Sequence, residues 1–258
     1  MIEFASMVKN KELIKDIIDE LNGLEFKNSE PYSESAKVFF LNRYLEIINL
    51  LPEIKKDDIG LEIGLAGGVL AFALKRQFEL NKLYTLEHPI VSKQYNKKFI
   101  NKLKSEHIIL ELVNLKENKL PWPDNFFNFI FLCDVVEHLV PSDIPNLIKE
   151  IKRVLKKDGQ LVIVTPNIAS LIKRINLFFG KNPIEFDLRL HEEATYGHIR
   201  EYTMNELLNI VENENFKVTR KKYFMIDAKR NIFTRIEDMS SKVYQPFANS
   251  LALVVKKT

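Results

Sequence analysis

Three groups of residues in this chain are spaced for chemistry. Gly60, Gly64, Gly67 and Gly68 place four of the eight glycines within nine residues. Two acids, Glu62 and Glu87, sit within or at the end of short apolar runs, IGLEIGL and LYTLEH. The third group, Asp134-Val135-Val136-Glu137-His138, follows or closes the apolar run FNFIFLCDVV. A glycine-dense turn reaches positive φ angles and lets a ligand lie against bare backbone. It is not a dinucleotide fingerprint, because Ala66 and Val69 stand where glycines belong. It is not a phosphate loop either, because Val69 and Leu70 stand where Lys-Ser/Thr belong. Glu62 is costly to bury unless it meets a cation or hydrogen-bond donors. Glu87, 25 residues further on, is placed to accept both hydroxyls of a ribose. One acid for an ammonium, one for a ribose and no diphosphate cradle together describe S-adenosylmethionine.

The elements that position these groups follow from the apolar spacing. Helical periodicity covers 10–22 and 34–51, the second through Val38, Leu41, Leu45, Ile48 and Leu51, with Ser33 or Ser35 as its cap and Pro52 beyond its end. Strand, glycine turn and helix come next, and then apolar runs at LYTLEH, HIILELV, FNFIFLCDVV and QLVIVTP. The stretches 89–104 and 142–156 are long enough for crossover helices, so the strands form a parallel sheet covered on both faces. Further helices are expected at 167–179, capped by Asn167 and stopped by Gly180, and at 203–213, opened by a Thr203/Glu206 capping box. Strands near 216–226 and 249–256 close the chain.

The segments LEIGLAGG, LYTLEH, LPWPDNFFNFIFLCDVVEHL, IKEIKRVLKKDGQLVIVTPN and GHIREYTMNELL resemble successive motifs of class I S-adenosylmethionine-dependent methyltransferases. The resemblance runs collinearly over about 57–218. It implies a Rossmann-like, doubly wound α/β fold with a seven-stranded sheet, mostly parallel with an antiparallel last strand. It also implies one domain over 1–258: a helical extension or lid (1–56), a cofactor-binding core (57–166), an acceptor-side insertion (167–202) and a final helix with strands (203–258). Carried over by position, Glu62, Gly64, Ala66 and Gly68 line the methionine end of the cofactor, and Glu87 holds the ribose. Asn114 and Leu115 stand at the adenine, and Cys133 and Asp134 flank the cofactor. Ala66 replaces a customary glycine, Asn114 a customary aspartate and Asn128 another. Tyr32 and Tyr44 are candidates for closing the pocket from the N-terminal side.

On the acceptor side, methyl transfer is an in-line displacement in which a hydroxyl acceptor must also lose a proton. If a helix begins at Asp134, then Asp134, Glu137 and His138 share one face at i, i+3 and i+4. That set resembles the acid-x-x-Glu-His cluster of metal-dependent O-methyltransferases, for which His198 is a later completing histidine. A divalent metal is therefore an option. The reading preferred here has no metal, with His138 as base or acceptor-positioning group, supported by Glu137 and His198. His191, like His198, is expected over the acceptor side, His88 only at a helix start before Pro89, and His107 at the surface. The apolar stripe Ile168, Leu171, Ile172, Ile175, Phe178 and Phe179 is read first as a helix packed on the core. Its alternatives are a lid over a partly apolar substrate or a contact with a membrane surface.

Composition bounds the rest. At 46% hydrophobic and 28% charged, the 258 residues have ordinary globular usage. The single Cys133 excludes an internal disulfide framework and a cysteine zinc cluster. No apolar run reaches the roughly 18 residues of a membrane span, and the N-terminus lacks a signal-peptide core, so a cytoplasmic location is expected. A net charge of +3 argues for no nucleic acid. The lysines at 93–104 and 217–222 suit a solvated helix face and an edge strand. The expected activity is methyl transfer to an oxygen of a small-molecule acceptor or a glycan or lipid precursor, releasing S-adenosylhomocysteine. The alternatives are an RNA methyltransferase and a non-catalytic S-adenosylmethionine-binding protein. The acceptor and the oligomeric state are not specified by sequence.

Overall fold

The computed structural model describes residues 2–27, 29–50, 54–117, 119–184, 197–226 and 231–258. Seven strands form one sheet: β1 (Gly60–Ile63), β2 (Leu83–Glu87), β3 (Ile108–Leu112), β4 (Phe127–Cys133), β5 (Leu155–Pro166), β6 (Phe216–Phe224) and β7 (Ser250–Lys257). Their order is β3-β2-β1-β4-β5-β7-β6. The pairs among β1 to β5 are parallel, and β7 runs antiparallel to both β5 and β6. The expected sheet, with its antiparallel last strand, is the one observed. β1 is buried along its whole length, which is why it reads as a continuous apolar run with a single acid in it. Edge strand β6 turns Lys217, Arg220 and Lys221 to solvent, as its lysines required.

Helices cover both faces. On one side pack α1 (Ile2–Leu21), α2 (Glu34–Ile48), α3 (Val69–Gln77) and α5 (Lys97–Ser105), preceded by the short α4 (Pro89–Ser92). Ile14, Ile17, Ile18 and Leu21 of α1 recur at helical spacing and are fully buried against that face. On the other side lie α6 (Ile144–Val154) and α8 (Met204–Asn213). The Thr203/Glu206 capping box opens α8, and His88 caps α4 by accepting from the Ile90 amide at 3.3 Å. Helix α7 (Leu171–Phe178) and helix α9 (Ile232–Val243) pack on each other. No described helix is long and apolar enough to cross a membrane.

Three local expectations change. Ser170, not Asn167, is the N-cap of α7. Asn167 is buried, and its carboxamide donates to the Pro246 and Ala248 carbonyls at 3.0 and 2.7 Å, pinning the start of β7 instead. In α2, Leu45 and Ile48 are buried as expected, but Val38 is exposed and Arg43 is buried, ion-paired with Asp134 after β4. Helix α9 had no counterpart in the sequence reading. Leu51, Pro52 and His191 lie outside the described residues.

Candidate active site at the carboxyl edge of the sheet

Strand order reverses between β1 and β4, the place where open α/β sheets bind ligands beyond their carboxyl ends. A cavity of about 320 Å³ opens there. Of the expected cofactor-side residues, all but Gly68 border it, and Arg43, Tyr44 and His138 join them. Gly64 has φ 88°, and a Cβ on it would come within 2.6 Å of the Val135 side chain, so only glycine keeps the turn tight here. Gly68, with φ 79°, caps α3 away from the cavity, where a Cβ would meet the Phe99 ring at 2.8 Å. Its role is packing. Ala66 adopts φ 44°, which costs a residue with a Cβ roughly 1–2 kcal/mol.

Glu87 offsets that strain. Its carboxylate accepts from the Ala66 amide at 3.0 Å, the Tyr95 hydroxyl at 3.1 Å and the His88 amide at 2.7 Å. Tyr95 also donates to the Ala66 carbonyl at 2.9 Å. Glu87 thus shapes the glycine turn while facing the cavity, a task that strand-end position alone did not reveal. Glu62 is 4% exposed, and its Oε2 has no partner. Desolvation, followed by repulsion from Glu87, pushes its carboxyl well above the usual range. Desolvation likewise raises the Cys133 thiol, which stands as a neutral S–H. Opposite, Asp134 takes φ 53° and pairs with Arg43, leaving its Oδ1 without a partner. Asn114 accepts from the Lys116 amide at 3.1 Å and so orders the 115–117 turn at the far end. Tyr44 borders the cavity; Tyr32 instead bonds Glu25 above Gly67.

The acceptor-side group is assembled differently from the face expected. Residues 136–138 form a 3₁₀ turn rather than the start of a helix at Asp134, so Asp134 turns to Arg43 and leaves the set. Glu137, His138 and His198, named together on the acceptor side, are brought close: their candidate ligand atoms lie within 4.8 Å of one another. Residues 197–200 are stitched to the turn, since the Ile199 and Arg200 amides donate to the Glu137 carbonyl at 2.7 and 3.2 Å. His138 Nδ1 lies 3.1 Å from the Gly197 carbonyl. A carbonyl only accepts, so Nδ1 carries the proton there and Nε2 is the ring's free acceptor. Buried Glu137 accepts from Thr165 at 2.9 Å, while its Oε1 has no partner; burial raises its pKa. His198 Nδ1 contacts Glu201 at 3.0 Å, a hydrogen bond that raises the imidazole's pKa. Burial tends to raise Glu201, but hydrogen bonds from His198 and Lys173 outweigh it and hold this acid below its ordinary value. Sequence reasoning missed Arg43, Tyr95, Glu201 and Lys173. The one usable signal was an arginine within the apolar second half of α2.

Residues 61–163 match the family described as "Methyltransferase domain". This stretch holds β1, the glycine turn, Glu87 and the Glu137-His138 pair. Over this stretch the chain is similar to a methyltransferase domain. The methyltransferase fold extends further along the chain. A SAM-dependent methyltransferase from Archaeoglobus fulgidus superposes with a TM-score of 0.58 at 17% identity, over 84% of this chain and 93% of that one. Geranyl diphosphate C-methyltransferase from Streptomyces coelicolor, solved with Mg²⁺, geranyl diphosphate and S-adenosyl-L-homocysteine, gives 0.59 at 12% identity over 96% and 98%. The [4+2]-cyclase SpnF gives 0.60 at 12% over 99% and 94%. One fold therefore carries more than one reaction. An uncharacterized protein of Methanocaldococcus jannaschii is 29% identical over 163 residues, and the matched part spans 62% of this chain and 64% of that relative's length.

The cofactor of this domain class fits the methyltransferase cavity. Two acidic oxygens without partners, Glu62 Oε2 and Asp134 Oδ1, border a space that also holds Arg43. Together they suit a zwitterionic amino-acid end and a sulfonium.

Proposed function

We propose that this chain transfers a methyl group from S-adenosylmethionine to an oxygen of a small molecule or of a glycan or lipid precursor. The observation that carries this reading is His138. It borders the same cavity as Glu62 and Glu87, and the Gly197 carbonyl fixes its tautomer so that Nε2 can accept a proton. Bound S-adenosylmethionine supplies an electrophilic methyl carbon. Glu62 and Asp134 take its ammonium, Arg43 its carboxylate, Glu87 its ribose hydroxyls, and Asn114 with Leu115 its adenine. His138 orients the acceptor hydroxyl and receives its proton at Nε2 as the oxygen attacks. Glu137 props the turn beneath it through Thr165. His198, oriented by Glu201, stands beside His138 with ring centroids 5.1 Å apart.

A second reading rests on the same three side chains. With both histidine Nδ1 atoms engaged outward and Glu137 Oε1 free, the trio has the make-up of a divalent-cation site. Release of S-adenosylhomocysteine, followed over a panel of hydroxylated acceptors with chelated protein and with Mg²⁺ or Mn²⁺ restored, separates the two. Turnover by chelated protein supports His138 as base. Turnover only on restoring a cation assigns the trio to metal. Binding of S-adenosylhomocysteine without turnover on any acceptor sinks the enzymatic reading.

A further inference from the structure

Helix α9 is inverted. Its buried residue is an acid, Glu237, whose carboxylate accepts from the Ile172 amide in the first turn of α7 at 3.0 Å. Ile232, Arg235, Ile236, Met239, Lys242 and Val243 instead share one helical face and are all exposed. The end of α7 behaves alike: Leu177, Phe178 and Phe179 face solvent, Phe178 at 84% and Val243 of α9 at 91%. Of fourteen exposed large apolar side chains among the described residues, ten lie on α7, α9 and their immediate ends. That concentration exceeds the scatter normal to a protein surface.

Charge says what covers this face. Segments 171–184 and 231–245 contain two acids and five basic residues, of which Lys173 is paired with Glu201 and Lys242 with Asp238, leaving Arg174, Lys181 and Arg235. One acid, Glu237, is buried, and the other, Asp238, is bonded to Lys242 at 2.9 Å. A second copy set face to face on this patch would bring cations against like charges, with no unpaired acid in these two described segments to meet them. An anionic bilayer satisfies both properties: aromatic and aliphatic side chains enter the boundary of headgroups and acyl chains, and the cations meet lipid phosphates.

We propose that the α7–α9 face docks this protein on anionic lipid membranes. The docking rests on the surface alone and holds whichever acceptor the cavity takes. The first turns of α7 also carry Lys173, which is bonded to the Glu201 that orients His198, so the docked face adjoins the acceptor side.

The test is co-sedimentation of the full chain with vesicles of phosphatidylcholine alone or with a quarter of phosphatidylglycerol, alongside its mass in solution by light scattering. Expected are a monomer, sedimentation with the anionic vesicles that weakens in high salt, and little with the neutral ones. Phe178→Glu with Val243→Glu should abolish sedimentation, and Lys181→Glu with Arg235→Glu should lower the partition coefficient roughly tenfold or more. Both double variants keep the cavity, so retained S-adenosylhomocysteine binding verifies their fold. Absence of sedimentation with anionic vesicles overturns the proposal, and so does sedimentation that neither double variant alters. A dimer that Phe178→Glu with Val243→Glu dissociates, without vesicle binding, assigns the face to a second copy and overturns it equally.

Discussion

The donor and acceptor sides of the cleft are held together by different means. On the donor side, Glu87 reaches back to Ala66 and Tyr95, and all three lie within the first strand-turn-helix repeats of the sheet. Backbone amides and carbonyls do much of the holding there. On the acceptor side, His138 follows β4, His198 and Glu201 precede α8, and Lys173 belongs to α7. Lys173 reaches buried Glu201, and His138 meets His198, across long sequence separations, through an ion pair and a ring contact. A backbone-built site is rigid because the sheet orders it. A side-chain relay is adjustable, and one substitution acts on the next residue along.

Substitutions can break this division, and the largest effect is expected at its centre. His138→Ala should lower kcat by about 10²- to 10⁴-fold, the range for removal of a general base. Affinity for S-adenosylhomocysteine, by calorimetry, should hold; a parallel loss of that affinity would mean the two sides are not separable. Glu87→Ala should do the reverse. Leaving the Ala66 amide and ribose hydroxyls unpaired weakens cofactor binding by about 1–3 kcal/mol, with kcat at saturation much less affected.

Glu62 sharpens the comparison through pH. Its folded-state pKa is raised, so its contribution to the apoprotein's stability is complete below the ordinary value of 4.5 and is lost as pH rises through the folded value. A cationic ligand binds best to the ionised acid. Cofactor affinity should therefore climb with pH over that same window, by at most about tenfold per pH unit, and Glu62→Gln should flatten the climb. A flat wild-type profile would remove Glu62 from the cation's site.

The smallest effect should come from the relay. Glu201→Gln removes the carboxylate whose hydrogen bond raises His198, so the His198 imidazole should titrate at lower pH, followed through its ring resonances by NMR. The change in kcat/KM at the optimum should be only a few-fold. Glu201 is a positioning residue, and a loss of activity with no displacement of the His198 titration would reduce it to a structural one.

What could be read without coordinates, and what could not, divides along the same line. Strand β1, the glycine turn, Glu62 and Glu87 were legible because their signals are short: an apolar run, residues free to take positive φ, and an acid where an acid is costly. The capping box of α8 and the lysine edge of β6 were local as well. Asn167 was misplaced as a helix cap because its partners, the Pro246 and Ala248 carbonyls, are some 80 positions away. The shared face expected of Asp134, Glu137 and His138 assumed a regular helix. A left-handed Asp134 and a 3₁₀ turn sent the aspartate to Arg43 instead. Helix α9 carries Ile232, Ile236, Met239 and Val243 at helical spacing, yet periodicity identifies a stripe without telling which side of it is wet.

The amino-acid order on its own determined an α/β sheet with a glycine turn at its first crossover and an acid on each of its first two strands. Each of those depends on neighbours within one strand-turn-helix unit. Only the folded chain decided that Arg43 closes the cavity wall, that Asp134 turns away from the acceptor group, and that an apolar face stays in solvent. Pairings between distant segments rest on packing geometry, and no local spacing encodes that.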